Sequence, residues 1–152
     1  MIQKIGKLLL VILLLSLAVY LQSLEQSKAS GIRVLRVIDG DTVEVEADYL
    51  PPQLGKKLLV RVLGVDTPEK GFRAHCSDEN LLSLKAKLFT EQLIRNAKHV
   101  DVKIKSWDKY GGRVLGDVLI DGKSLSELLV QSKFAIPYNG EKKVYDWCKH
   151  KH

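Results

Sequence analysis

The stretch Val60-Arg61-Val62-Leu63-Gly64-Val65-Asp66-Thr67-Pro68-Glu69 sets an arginine inside an apolar strand and two carboxylates at its end. A guanidinium in a strand interior needs an anionic partner or ligand to offset its desolvation, and a phosphate would serve. Asp66 and Glu69, three positions apart and held by Pro68, are placed as a hard oxygen ligand and a base at the strand mouth. Upstream, Arg36-Val37-Ile38-Asp39-Gly40-Asp41-Thr42-Val43-Glu44-Val45 reads as strand, tight turn and strand, because Asp-Gly tolerates the positive φ of a hairpin. Asp39 is equally well explained as a turn former. Asp41 follows the glycine, where a second carboxylate adds repulsion unless a cation or donor relieves it. A third stretch, Trp107-Asp108-Lys109-Tyr110-Gly111-Gly112-Arg113-Val114-Leu115-Gly116, delivers another arginine to the start of another apolar strand.

Two strand-borne arginines suit a phosphodiester, since each planar fork matches two phosphate oxygens. That bond is a poor electrophile because its negative oxygens repel a nucleophile, so hydrolysis depends on neutralising charge and orienting a water. Oxygen-only ligands favour Ca²⁺ or Mg²⁺. Zinc is disfavoured: His150 and His152 lie in a basic tail, and His75-Cys76 lacks a nearby pair at ligand spacing.

The elements that must position these residues are short strands and two helices. Strands are expected at Ile32 to Val37, Thr42 to Glu46, Lys57 to Leu63, Val100 to Lys105 and Arg113 to Ile120. A helix is expected from Glu79 to Asn96, with Leu81, Leu84, Leu88 and the Leu93 region facing the core. Ser124-Leu125-Ser126-Glu127 has the pattern of a capping box opening a second helix, Leu125 to Ser132. The fold class is therefore α+β, mainly β: an OB-type five-stranded barrel with two or three helices.

The three motifs, in this order and with a helical segment between the second and third, resemble the staphylococcal nuclease (thermonuclease-like) family over roughly Gly31 to Tyr138. The resemblance implies a Ca²⁺-dependent endonuclease acting on DNA and RNA. It assigns Asp41 and Asp66 to the metal, with the backbone carbonyl of Thr67. Arg61 and Arg113 match the arginines on the scissile phosphate, and Glu69 matches the general base. Lys109 and Tyr110 resemble nucleotide-contacting residues, although Gly111-Gly112 replaces the family's single glycine and lengthens the turn before Arg113. Tyr138 suits either stacking on a base or covering the core. The family fold is also an OB-type barrel, often with a third helix, for which Glu141 to Lys149 alone remains here. The other reading is a noncatalytic OB-type nucleic-acid-binding module. Such a module has no need for Asp41, Arg61, Asp66, Glu69 and Arg113 together.

The first 29 residues read separately. Lys4 and Lys7 precede an apolar run from Leu8 to Leu21, the order of an export signal. At about 21 Å as a helix the run is shorter than a hydrocarbon core, which favours a signal peptide over a span, with an uncleaved signal anchor as the alternative. The domain from residue 30 to 152 is then secreted or periplasmic, or membrane-anchored facing outside, and a monomer is expected. Removing Met1 to Ala29 lowers the net charge from +6 to +4, still favourable for steering a polyanion. If the domain is exported, Cys76 and Cys148 are expected to pair, substituting for a shortened third helix.

Overall fold

The computed structural model describes residues 12–18, 32–48, 50, 55–109 and 112–149. The chain divides into two units, Met1–Ser30 and Gly31–His152. In the first, residues 12–18 are helical, and among the described residues no helix is long and apolar enough to cross a membrane. Most of the expected leader lies outside the described residues.

In the second unit the five expected long strands form: β1 (Ile32–Asp39), β2 (Thr42–Ala47), β3 (Lys57–Val62), β5 (Val100–Trp107) and β6 (Arg113–Ile120). They curl into a half-barrel of order β1-β2-β3-β6-β5. Short pairs add to it: β4 (Val65–Asp66) with β8 (Ile136–Pro137), and β7 (Lys123–Ser124) on β6. Alternation along β6 buries Val114, Gly116, Val118 and Ile120 and leaves Arg113 and Leu115 on the other, half-buried face. Val43, Val45, Val60 and Val62 continue the core, closed by Leu125 and Leu129 of α2 (Leu125–Gln131).

The β1–β2 hairpin departs from the expected chemistry. Asp39 pairs with Thr42, leaving Gly40 and Asp41 as the loop, and neither has positive φ. Glycine is needed for proximity instead: a Cβ at Gly40 would lie 2.8 Å from the Ala86 Cβ and 3.1 Å from Thr67 Cγ2. Thr90 Oγ1 donates to the Gly40 carbonyl at 2.7 Å. The Asp-Gly pair that does use positive φ is Asp121-Gly122, between β6 and β7.

This close approach decides which face of α1 (Ser77–Asn96) turns inward. Leu82, Ser83, Ala86 and Thr90 are buried, whereas Leu81, Leu84 and Leu88 are 52%, 47% and 61% exposed, so the expected leucine face points to solvent. The hairpin turn admits small side chains, and the helix rotates to offer them. Leu93, with Phe89 and Ile94, does pack on the core. The helix starts two residues before Glu79, with Cys76 as N-cap.

The capping box does not form. Ser124 makes no side-chain cap hydrogen bond: it pairs with Leu119 in the β6–β7 ladder, and its hydroxyl lies 2.7 Å from that of Ser126. The helix ends at Gln131, with Ser132 as its C-cap.

No third helix forms over Glu141 to Lys149; the segment is irregular up to a turn at 147–149. It is pinned by buried Trp147, packed edge-on against Tyr145 at 4.7 Å, and by a Cys76–Cys148 disulfide with Cα atoms 6.0 Å apart. The bridge spans 72 positions, so reduction is expected to lower stability by about 4 kcal/mol by releasing the unfolded chain's loop constraint. Guanidinium denaturation with and without a dithiol checks this. An unchanged midpoint would remove the bridge from the stability argument.

Candidate active site

Parallel pairing of β3 with β6 sets Leu59 beside Arg113 and Arg61 beside Leu115. Arg61 and Arg113 thus share a sheet face, with Cα atoms about 8 Å apart from ideal strand spacings. Both open into a cavity of about 600 Å³, also lined by Asp41, Thr67, Glu69, Lys109 and Tyr138. Asp66 lies in contact with Arg61. Of the residues expected in the site, only Tyr110 lies outside the described residues.

Arg61 is held between two buried acids. Its Nη1 donates to Asp41 Oδ1 at 3.3 Å, and its Nη2 lies 3.2 Å from Asp41 Oδ2 and 3.3 Å from Asp66 Oδ1. Burial would lower the Arg61 pKa, but the charges of Asp41, Asp66 and Glu69 outweigh it and raise it. For Asp41 the balance goes the other way: burial pushes its carboxyl up despite Arg61, Thr42 and Thr67. Arg113 is aimed by buried Asp108, which accepts a hydrogen bond from its Nε. Lys109 is exposed at the rim. Tyr138 is half-buried, its N–H donating to the Gly64 carbonyl at 2.9 Å and its hydroxyl to the Glu141 carbonyl.

Glu69 is tied on both oxygens, Oε1 to Lys143 Nζ at 2.7 Å and Oε2 to Arg73 Nε at 3.1 Å. Burial pushes its carboxyl up, yet Lys143, Arg73 and Arg61 bring it below the usual value. Asp39, by contrast, pairs with Lys70 and anchors the loop beyond Glu69.

The donor set fits a hard divalent cation. Asp41 Oδ2 is buried without a hydrogen bond, and buried Asp66 meets the same Arg61 nitrogen, Nη2, as that oxygen. Among the described residues no group of three or more His, Cys, Asp or Glu that could hold a metal ion gathers. An ion held by Asp41 and Asp66 would keep positions open for water and substrate.

The sequence did not point to several residues that shape the site. Glu79, buried in the first turn of α1, accepts from the backbone N–H of Glu69 at 3.1 Å and of His75 at 2.6 Å. It fixes the loop that carries Glu69. In the sequence it shows only as an acid in the first turn of a helix. Glu79→Ala is expected to cost about 3 kcal/mol by stranding two donors, and to lower any turnover that depends on Glu69. Denaturant titration beside single-turnover rates checks both; a stable variant with full turnover would exclude the role. Asp108 belonged to a quoted motif without an assigned part. Trp107, 59% exposed, lines the cavity, and Lys143 had no sequence signal.

A curled OB-type sheet thus presents two arginines and a set of acids to one cleft. Residues 59–150 match the family described as staphylococcal nuclease homologue, and the chain belongs to that family. It is 35% identical over 116 residues to Endonuclease YncB of Bacillus subtilis (strain 168), an alignment covering 74% of this chain and 50% of that protein. It is 29% identical over 127 residues to Thermonuclease of Staphylococcus hyicus, covering 75% of this chain and 66% of that protein. The chain thus spans half the length of the first relative and 66% of the second.

Proposed function

We propose that this chain is a Ca²⁺-dependent endonuclease that hydrolyses phosphodiester bonds of DNA and RNA. The observation that carries the reading is the shared face of Arg61 and Arg113 on adjacent parallel strands, opening on the cleft that contains Glu69. Two guanidinium forks at that spacing engage the non-bridging oxygens and offset charge building up at phosphorus. Glu69 accepts a proton from the attacking water. Asp41, Asp66 and the Thr67 carbonyl would hold Ca²⁺, which when bound supplies further charge neutralisation at the phosphate. Lys109 and Tyr138, which line the cleft, serve the nucleotide, and Tyr110, outside the described residues, is assigned to it by the sequence alone. The endonuclease and thermonuclease names of the two relatives support the reaction class. A disulfide suits an oxidising compartment, which supports export, with the leader either cleaved or kept as an anchor.

The test is digestion of single-stranded DNA, duplex DNA and RNA in Ca²⁺, in Mg²⁺ and in chelator. Cleavage that needs Ca²⁺ is expected. Folded protein that binds nucleic acid and cleaves none would make the domain a binding module.

A further inference from the structure

Lys143, in the irregular segment after β8, reaches two acids of the site. Its Nζ is 2.6 Å from Asp66 Oδ1 and 2.7 Å from Glu69 Oε1. Asp66 Oδ1 also receives Arg61 Nη2 at 3.3 Å, so both acceptor positions of that oxygen are engaged. A further cation on this oxygen must displace one of the two. Arg61 is fixed in β3, its side chain 16% exposed and shared between two acids. Lys143 is 41% exposed and sits on a segment outside any helix or strand. The lysine is the group that yields.

The segment is nonetheless built to deliver it. At one end β8 pairs with β4, setting Ile136 against Asp66, and the Tyr138 N–H reaches the Gly64 carbonyl. At the other end Trp147 is buried and Cys148 is bridged to Cys76, ahead of α1. Lys143 stands between these two anchors, so its ammonium is presented to the site by a strap fastened at both ends. A compact ammonium on a flexible stem is well suited to a reversible contact, because water can take over its three donors when it leaves.

We propose, resting on the cation reading of Asp41 and Asp66, that Lys143 is a tethered internal cation. It competes with the divalent ion for Asp66 and keeps Glu69 paired until that ion displaces it. The site is then held in a charge-balanced state without the divalent ion, and binding of the ion releases an oxygen of Asp66 and an oxygen of Glu69 together.

The experiment titrates Ca²⁺ into the full, disulfide-bonded chain without nucleic acid, by calorimetry and by the Ca²⁺-induced rise in unfolding temperature. The chains compared are wild type, K143M, K143R and K142M. K143M keeps the stem and loses the charge, and is expected to bind Ca²⁺ at least fivefold more tightly. K143R, whose fork holds carboxylates, should restore wild-type or weaker affinity. K142M removes the same charge from the neighbouring position and should leave affinity near wild type. Where K143M does not fold, K143Q replaces it. Equal affinities in wild type and K143M would overturn the role of Lys143 while leaving the cation reading intact. An equal gain in K142M would reduce the effect to general charge and also overturn it. Absence of Ca²⁺ binding in every folded chain would remove both the cation reading and this inference.

Discussion

Glu69→Gln is expected to lower turnover by about 10² to 10⁴-fold, the usual contribution of a positioned general base, with substrate affinity nearly unchanged. Glutamine matches glutamate in shape but accepts no proton at neutral pH, so the change isolates the proton transfer. The backbone at this position stays in place, because the Glu69 N–H is held by Glu79 and not by its own side chain. The variant does lose ion pairs to Lys143 and Arg73. Those pairs are partly exposed, and such pairs contribute little to stability, so the fold should survive. Single-turnover cleavage at saturating nucleic acid, beside equilibrium binding in the absence of cleavage, separates the two quantities. Equal losses of binding and turnover would move Glu69 from base to binding residue. A variant as fast as wild type would require another base.

The strands could be read from the sequence because alternation is local: each of the five long strands has its own apolar rhythm and its own turn residues. Arg61 stood out for the same reason, since a charge inside such a rhythm is visible without any partner. The orientation of α1 was not visible. Leu81, Leu84 and Leu88 make as good a helical stripe as Leu82, Ala86 and Phe89, and the choice between them is made by Gly40, far off in the chain. The hairpin glycine was noticed for the wrong reason, because a requirement for close approach leaves no local pattern. Ser124 shows the same limit: a capping sequence is overridden when its residue is already committed to a ladder. Lys143 lies 74 positions from Glu69, in a segment with neither periodicity nor motif. Only the β4–β8 pairing and the disulfide bring it to the acids, and of these the disulfide alone was anticipated. The acids and arginines stand out in the sequence because their types are improbable where they stand. The residues that hold them, Glu79 and Asp108, are ordinary types at ordinary places.

Arg61→Lys is expected to lower turnover by about 10² to 10³-fold, the range for loss of one preorganised charge-stabilising donor, although the formal charge is kept. A single ammonium cannot reproduce the fork that reaches Asp41, Asp66 and a phosphate from one plane. Arg61→Ala should also damage the fold, by about 3 to 5 kcal/mol, because it strands the buried carboxylate of Asp41 and leaves Asp66 to Lys143 alone. The pH dependence has a defined sign. Burial holds the Asp41 carboxyl above its ordinary value, so its contribution to stability is fully present below the unfolded pKa and is lost as pH rises through the folded one. Removing Arg61 takes away the main charge opposing that rise. The deficit of Arg61→Ala should therefore be largest near neutral pH and shrink on acidification, and added Ca²⁺ should recover part of it at neutral pH by ligand linkage. Guanidinium denaturation of both chains from neutral to acid pH, with and without Ca²⁺, measures each term. A deficit independent of pH would mean that Arg61 stabilises the sheet by packing and not by balancing Asp41 and Asp66. A fully active Arg61→Lys would separate this arginine from the phosphate altogether and leave Arg113 to act alone.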